Sequence, residues 1–330
     1  MSAIAPEVLA GIVQLACRAP SVHNSQPWRM TAEDGVLRLF AEPHRVPHAT
    51  DHSGREALIS CGALLDHLRV AAAAAGWHCE VARFPNPNDL DHLATLEFHR
   101  LESVSDADRS RADAILQRRT DRLPFKAPTN WPAFEKVLRA TIDPNNATID
   151  VLDEAARPQL ADASRLTEAL RRNDASYQAE LSWWTGLFET ADGVPYSALP
   201  ADRDGVAVER EFPAGTLAGD RPKVDHSMIM ALSTYDDSHT SALGCGEALS
   251  AVLLEATMVG LATCPLTHLT ELDASRDILR ALIGGTGDPQ MLVRIGRVPV
   301  LAELPPMTPR RPLADVLRIT EGTTKGDDDG

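Results

Sequence analysis

An internal repeat constrains the fold of this 330-residue chain more than any other feature. Cys-Gly-Ala-Leu-Leu at 61–65 recurs as Cys-Gly-Glu-Ala-Leu at 245–249, and each copy leads into an apolar run that ends at a glycine, Gly76 or Gly260. The apolar residues recur at helical spacing, which predicts two long core helices with the glycines as C-terminal caps. Coincidence between two alanine-rich helices is the alternative, but the matched ends favour an ancient duplication.

The two halves share a plan of helices and strands but differ in length. Strand character follows each repeated helix, at 80–84 and 93–98 in the first half and at 291–296 in the second. The sequence therefore predicts an α+β fold in which residues 1–103 and 104–319 form two related halves. Two halves fused in tandem would mimic a homodimer within one chain, so a monomer acting as a pseudo-dimer is expected.

Two segments fall outside this plan. Residues 191–223, in the second half, form a long insertion rich in proline, glycine, aspartate and arginine. Such insertions in compact domains are usually lids, binding loops or disordered, and a lid is the first expectation here. Residues 320–330 have no apolar periodicity and are expected to form a disordered tail.

Composition and charge argue against several classes of partner. A formal net charge of −15 repels nucleic acid phosphates and anionic lipid, so neither a nucleic acid nor a membrane is expected as a partner. The absence of a long apolar run or a leader-like N-terminus predicts a cytoplasmic protein. The five cysteines lie far apart in the sequence and are expected to be reduced and mostly buried.

No metal site is expected. His44, His48 and His52 have a spacing that could bind a metal only on a helix. Pro43 and Pro47 argue against a helix in this segment.

A polar turn between Pro20 and Pro27 is the first candidate for a binding site. It follows a short apolar helix, which Pro20 ends, and it contains Ser21, Asn24 and Gln26. Side chains of this kind commonly satisfy backbone groups of their own loop. Against that reading, the two prolines stiffen both ends of the turn, and the two amides offer paired recognition of a ligand.

A cluster of arginines is the second candidate. Arg118, Arg119 and Arg122 surround the hydroxyl of Thr120, following a helical stretch that begins near Ser105. Guanidinium groups bind phosphate oxygens bidentately, so this cluster is a competent phosphate site within an acidic chain. A solvated basic turn paired with nearby acids is the alternative, because arginine turns are common.

Together the two motifs resemble those of the flavin-dependent nitroreductase family. The sequence Ala-Pro-Ser-Val-His-Asn-Ser-Gln-Pro-Trp at 19–28 is similar to the Pro-Ser-x-x-Asn-x-Gln-Pro-Trp signature of that family, and Arg-Arg-Thr-Asp-Arg-Leu-Pro-Phe at 118–125 is similar to its phosphate motif. In that family both motifs lie in each subunit of a dimer, whereas this chain divides them between its halves. The division and the insertion resemble the Acg family of fused nitroreductase-like proteins, over residues 5–319.

The resemblance implies a nitroreductase-like fold with one FMN site per chain. The arginine motif, helped by the basic turn near the C-terminus, would bind the phosphate and ribityl chain, and the polar turn would reach the ring system. The segment after the second repeated helix would lie near the isoalloxazine. The implied FMN-binding residues are Ser21, Asn24, Gln26, Arg118, Arg119, Thr120, Arg122, Thr263, Cys264, Pro265, Leu266, Arg310 and Arg311. No catalytic side chain is identified. The pair Trp183 and Trp184 is expected to pack in the core, with an aromatic wall for the flavin as the alternative.

Three functions are open to such a chain. The first is to hold or sequester FMN under a lid with little nitroreductase turnover, which the Acg resemblance and the single site favour. The second is an NAD(P)H-dependent FMN oxidoreductase, in which reduced nicotinamide delivers hydride to the flavin and a nitro or quinone acceptor follows. The third is a structural pseudo-dimer without flavin.

Overall fold

The computed structural model describes residues 4–186, 192–202, 205–284, 287–299 and 307–320. The helices are α1 (Pro6–Ala16), α2 (Arg55–Ala74), α3 (Asp106–Gln117), α4 (Trp131–Thr141), α5 (Arg157–Arg171), α6 (Ala175–Trp184), α7 (His239–Met258), α8 (Asp273–Leu282) and α9 (Leu313–Val316). The strands are β1 (Trp28–Glu33), β2 (Val36–Ala41), β3 (Trp77–Arg83), β4 (His92–Arg100), β5 (Thr148–Leu152), β6 (Met228–Thr234), β7 (Ala262–Leu266), β8 (Asp288–Gly296) and β9 (Leu317–Thr320).

These strands form two sheets with the same internal order. The first sheet has the order β3-β4-β2-β1 and is extended by β9, and the second has the order β7-β8-β6-β5. In each sheet the strand before the long helix pairs antiparallel with the second strand after it, and the register shifts once along that pair. The unit β1-β2-α2-β3-β4 therefore corresponds to β5-β6-α7-β7-β8, and this correspondence agrees with the repeat inferred from the sequence.

The repeated helices α2 and α7 form the centre of the main core and contact each other. Both are 20 residues long, and both are followed closely by the predicted glycine. Gly76 has a φ of 85° and Gly260 a φ of 74°, in the left-handed region that ends a helix without strain only for glycine. The predicted caps and core helices are confirmed, and the five cysteines are free and buried, as expected.

Helices α2 and α7 cross at the glycine of each repeated motif. A Cβ added to Gly62 would collide with the carbonyl oxygen of Leu243 and lie 2.9 Å from the Cα of Gly246. A Cβ added to Gly246 would collide with the carbonyl oxygen of Ile59 and lie 2.8 Å from the Cα of Gly62. The contacts are reciprocal, as in a twofold interface between identical subunits. A residue with a side chain at either position would push the two backbones apart.

The last strand crosses back to the first half. β9 pairs parallel with β1, between residues nearly 290 positions apart in the sequence. The segment from residue 307 onward therefore lies with the first sheet, although the division by sequence order assigned it to the second half. The expected disordered tail began at residue 320, but Thr320 is the last residue of β9 and pairs with β1. Residues 321–330 lie outside the described residues.

One helix of the described chain, α2, is long and apolar enough to cross a membrane by length and composition alone. In its most apolar window, 83% of the residues are buried inside the protein. Core helices pass the same test, so this finding is weak evidence for a span.

Candidate functional site

A cavity of about 810 Å³ is lined by both halves of the chain. Its volume lies in the range of small-molecule and cofactor sites. The polar turn, the arginine cluster, β7, the insertion and the C-terminal segment all contribute to its wall. The predicted site residues found on the wall are Ser21, Asn24, Arg118, Arg119, Thr120, Arg122, Thr263, Cys264, Pro265, Leu266 and Arg310. Gln26 and Arg311, which were also predicted, are not on the wall.

The polar turn has a strained backbone. His23, Asn24 and Gln26 have φ angles of 48°, 55° and 50°, in a region that residues with side chains seldom adopt. The Oγ of Ser21 accepts a hydrogen bond of 3.1 Å from the backbone N–H of Gln26, which helps to hold this conformation. Strained, non-glycine backbone of this kind concentrates at functional sites, where the surrounding structure maintains it.

The two amides of the turn bind protein rather than pointing together at a ligand. Asn24 Nδ2 donates to the carbonyl oxygens of Gly193, at 2.8 Å, and Pro309, at 3.3 Å. The fully buried Gln26 side chain donates to the Asn24 carbonyl and accepts from the backbone N–H of Arg311. The structure thus places Gln26 away from the cavity, contrary to the sequence prediction, because the amide fastens the turn to the C-terminal segment.

The two C-terminal arginines also fasten segments of the chain together. Arg310 donates to five carbonyl oxygens, those of Cys17, Arg18, Ala19, Thr308 and Pro309. Arg311 donates to the carbonyls of Gln26 and Trp28 and pairs with Glu42 at 2.6 Å. The expectation that this turn closes on a phosphate is therefore not supported by the structure: Arg310 reaches the wall with its donors engaged, and Arg311 does not reach it.

Arg118 is the strongest candidate for binding an anion. Its side chain is buried, at 8% exposure, and its Nε and Nη1 have no hydrogen-bond partner within the described residues. Burial, with the charges of Arg18 and Arg119 nearby, lowers the pKa of Arg118 to about 10. A buried cation that lacks a counter-charge is costly, and an anionic ligand would remove that cost.

The neighbours of Arg118 make this end of the cavity positive. Arg18 and Arg119 also line the wall, and burial lowers the pKa of both. The nearest acid in the sequence, Asp121, is bound by Arg221 of the insertion at 2.7 Å. An acidic protein thus presents a local excess of positive charge in one cavity, which is the arrangement expected of a phosphate site.

Strand β7 is connected directly to the arginine cluster. Thr120 forms an isolated bridge with Thr263, and the backbone N–H of Asp121 donates to the Thr263 carbonyl at 2.9 Å. The predicted wall at 263–266 and the arginines therefore keep a fixed relative position. Burial raises the pKa of Cys264, so its thiol remains protonated and is no candidate for a nucleophile.

The insertion forms one wall of the cavity. It is held near both ends: Arg45 donates to Asp192 at 2.6 Å and to the Ser25 carbonyl of the polar turn at 2.7 Å, and Arg221 pairs with Asp121 at 2.7 Å. Between these points, Arg210 forms a buried ion pair with Glu271. The wall residues that it supplies are Val194, Ser197, Ala198, Glu209, Arg210, Phe212, Leu217, Ala218 and Arg221. This is the position that a lid requires. Residues 191, 203 and 204 of the predicted lid lie outside the described residues.

The tryptophan pair does not form an aromatic wall. Trp184 is buried, as expected, but Trp183 is 81% exposed, so the expectation that it packs in the core is wrong. Neither residue lines the cavity. Phe212 does line the wall, and its ring centre lies 5.0 Å from the Arg122 guanidinium carbon and 6.0 Å from the ring centre of His23. Phe212 could not be singled out from the sequence, because only the folded insertion brings it to the cavity.

Glu56 is a further cavity residue that sequence reasoning missed. It is 2% exposed, and neither carboxyl oxygen has a hydrogen-bond partner among the described residues. Burial, then the negative charges of Glu271 and Asp51, hold the pKa of Glu56 well above its ordinary value. An acidic residue in the first turn of a helix is commonplace in a sequence, so no motif marks it.

Comparison with known proteins gives close relatives in sequence. A Mycobacterium tuberculosis protein named "Putative NAD(P)H nitroreductase acg" is 55% identical over 320 residues, which cover 96% of this chain and 97% of the relative. A second protein of that organism, described as uncharacterised, is 51% identical over 327 residues, covering 97% of this chain and 95% of the relative. No model of a protein family matches the sequence.

Solved structures give a weaker likeness. The crystal structure of the FMN-dependent nitroreductase NfnB from Mycobacterium smegmatis, in complex with NADPH, is 16% identical with a TM-score of 0.42. The structural match covers 65% of this chain and 100% of the NfnB chain. A TM-score this low carries no argument about this cavity or its ligand.

Proposed function

We propose, on the premise that this chain belongs to the Acg family of nitroreductase-like proteins, that it binds one FMN in the cavity between its halves and holds it beneath the insertion. The single observation that carries this proposal is Arg118, a buried guanidinium with two nitrogens that lack a partner within the described residues. A phosphate monoester is dianionic near neutral pH and supplies three acceptor oxygens, which matches an unpaired arginine with arginine neighbours.

The other residues fit the remainder of such a ligand. Arg118, Arg119 and Thr120 would hold the phosphate. The 263–266 segment of β7 and Ser21, which line the same cavity, would hold the ring system. The volume of about 810 Å³ is ample for a cofactor of this size. A bound flavin would supply hydride-transfer chemistry, while the protein orients the flavin and excludes water from it.

The purified protein tests this proposal directly. It should be yellow, or become yellow on reconstitution, and carry one FMN per chain by absorbance and mass. A colourless protein that FMN leaves colourless would refute the proposal and favour a structural pseudo-dimer. The same preparation should sediment as a monomer if the two halves replace the two subunits of a dimer.

Holding FMN and using it to reduce a substrate are two separate functions that the same flavin site could have. The fastened insertion favours holding, because a covered flavin exchanges slowly and excludes a second substrate. The name of the 55% identical relative favours the second candidate, an NAD(P)H-dependent reductase of nitro compounds or quinones. Anaerobic mixing with NADH and with NADPH decides between them, since rapid bleaching of the flavin is expected of a reductase and its absence of a holding protein.

Loosening the insertion should speed access to the flavin. Replacing Arg45 by methionine removes the bonds from Arg45 to Asp192 and to the Ser25 carbonyl, without changing a residue on the cavity wall. We expect dithionite to reduce the bound flavin at least severalfold faster in this variant, measured by anaerobic stopped flow.

Replacing Arg38 by methionine is the matched control. That change removes an ion pair between Arg38 and Glu33, at 3.3 Å on the surface, and neither residue belongs to the insertion. Surface ion pairs of this kind contribute little to stability. Equal reduction rates in the two variants and the parent protein would show that the insertion does not limit access.

A further inference from the structure

Glu56 lies on a wall shared by two cavities. Besides the cavity already described, a second cavity of about 390 Å³ is lined mainly by polar residues, and we call it the polar pocket. Glu56 is the one residue, among those described, that lines both. The residues of the polar pocket are Thr50, Asp51, His52, Ser53, Arg55, Glu56, Leu58, Asp237, His239, Ala242, Thr270, Glu271, Asp273 and Arg276.

The polar pocket reaches solvent. His52, Asp237, His239 and Asp273 on its wall are exposed. Glu56 therefore separates an outer, water-accessible space from the inner cavity that the insertion covers. A proton that passes between the two cavities therefore meets a titratable group, Glu56, at their boundary.

The charged neighbours of Glu56 are engaged with other partners. Arg55 approaches its carboxyl only to 3.9 Å, since its terminal nitrogens donate to Gln290 and Thr270. Asp51 accepts a hydrogen bond from the backbone N–H at residue 57, and Arg210 is paired with Glu271. The groups that face Glu56 from the elements around it are thus Asp51, Arg55, Arg210 and Glu271, and none of them donates a hydrogen bond to its carboxyl.

The position along α2 places Glu56 away from the proposed phosphate end. His67, on the same helix, is close enough to Arg118 and Arg310 for their charges to lower its pKa, which is about 3 mainly because of burial. The eleven residue-to-residue steps from Glu56 to His67 span about 16 Å at 1.5 Å per step. The arginines and Glu56 therefore serve different ends of a ligand that fills the cavity.

We propose that Glu56 is the proton donor of the cavity: its carboxylic acid gives a proton to a bound acceptor as that acceptor is reduced, and it recovers a proton from water in the polar pocket. This inference rests on the second candidate function, the reductase, because it needs reduced flavin as the source of electrons and an acceptor that enters the cavity. It adds an assigned catalytic side chain, for which neither the motifs nor the relatives gave a candidate.

The step balances with a quinone as acceptor. The O–H bond of Glu56 breaks as a quinone oxygen takes the proton, and the hydride that completes the hydroquinone comes from reduced flavin. The quinone gains two electrons and two hydrogens, and the flavin is oxidised by two electrons. The Glu56 carboxylate then takes a proton from water of the polar pocket, which restores the acid.

Reoxidation of the flavin-loaded protein tests this role. Dithionite reduces the bound flavin anaerobically, and stopped flow then follows its reoxidation by benzoquinone from pH 5 to 9. The Glu56→Gln variant should be slower by about a hundredfold, the range in which a general acid contributes, and its rate should not vary with pH. The parent rate should fall as Glu56 ionises at the alkaline end. Asp277→Asn, which removes an exposed acid of α8 that lines neither cavity, should behave as the parent.

The conservative variant separates a chemical role from a structural one. Glu56→Asp shortens the side chain but keeps the acid, so proton donation predicts a faster reaction than in Glu56→Gln. A packing role predicts the reverse order, because glutamine has the shape of glutamate. That reverse order, or a Gln variant with the parent rate and pH profile, would overturn the inference while leaving the flavin site intact.

Flavin-free protein gives a second readout. The folded chain keeps the Glu56 proton above pH 4.5, where an unfolded glutamate loses it, so the parent loses stability as pH rises from that value toward the folded pKa. The melting temperature of Glu56→Gln should therefore be close to that of the parent near pH 4.5, and it should exceed the parent's increasingly as pH rises toward the folded pKa of Glu56. A constant difference across this range would contradict a proton held by Glu56. Failure of the parent chain to bind FMN would overturn the proposed function and the donor role with it.

Discussion

Replacing Arg118 by methionine should abolish tight FMN binding and, at the same time, stabilise the flavin-free protein. The variant loses charge-assisted hydrogen bonds to phosphate worth about 1.5–3 kcal/mol each, so two of them correspond to roughly a hundredfold or more in the dissociation constant. Methionine keeps the aliphatic part of the side chain but removes a buried charge whose Nε and Nη1 have no partner within the described residues. Replacing a buried ion pair by apolar residues can stabilise a protein by about 1–4 kcal/mol, and removing a buried charge that lacks a counter-charge should change stability in the same direction.

Two measurements check this prediction. Flavin fluorescence titration gives the dissociation constant, and thermal unfolding of flavin-free protein gives the change in stability. The matched control is Arg109→Met on α3, the helix that ends at the residue before Arg118. Arg109 is 58% exposed and pairs with Asp106 across one turn. Unchanged affinity in the Arg118 variant would remove the phosphate assignment, and a strongly destabilised apoprotein would show that Arg118 has a structural counter-charge.

The opposite signs of the two effects distinguish a binding residue from a structural one. Removing a residue that stabilises the fold makes the protein less stable. Removing a residue that is positioned for a ligand makes the ligand-free protein more stable. Arg310 is the contrasting case in this cavity. Its guanidinium donates to five carbonyl oxygens, so its removal should destabilise the protein whether or not flavin is bound.

The contrast between Arg118 and Arg310 shows how far the sequence could define the site. Both belong to short basic motifs, and both were reasonable candidates for a phosphate. Their roles differ because Arg310 meets the carbonyls that follow α1, nearly 300 residues away in the chain. Spacing within a motif contains no information about such distant partners. Glu56 shows the converse, since its importance depends on two cavities that exist only in the folded chain.

The fold, like the site, could be predicted only in part. The periodic helices and their glycine caps were predictable, because both depend on residues that are neighbours in sequence. The addition of β9 to the first sheet was not predictable, since a four-residue strand has little periodicity and its partner β1 begins at residue 28. The repeated motif also marks a contact between two helices that its sequence pattern did not reveal. Gly62 and Gly246 recur because two helix backbones touch there, and not because either helix begins or bends at that point.

Replacing Gly62 by alanine should therefore be among the most destabilising single methyl additions in this chain. The new Cβ would overlap the Leu243 carbonyl oxygen, which belongs to helix backbone and cannot rotate away. Overpacking of a core costs about 1–3 kcal/mol and occasionally more, and an obstacle made of backbone places this site at or above the upper value. Gly246→Ala should give a similar loss, because Ile59 presents the equivalent carbonyl.

Gly11→Ala is the matched control, with an expected change of opposite sign. Gly11 lies within α1, and a Cβ there would meet nothing within 4 Å. Alanine in a helix interior is more stable than glycine by about 1 kcal/mol, so this variant should unfold at a higher temperature than the parent. Thermal unfolding of the three flavin-free variants gives the comparison.

The same glycines connect the fold to the site. Helix α2 contributes Ile59 to the cavity wall and α7 contributes Leu249, so separating the helices at their crossing displaces both walls. We therefore expect Gly62→Ala to weaken FMN binding as well, whereas Gly11→Ala should leave it unchanged. A Gly62→Ala protein with parental stability would mean that the helices can slide apart at little cost, and the close crossing would then not be what fixes the two halves around the flavin.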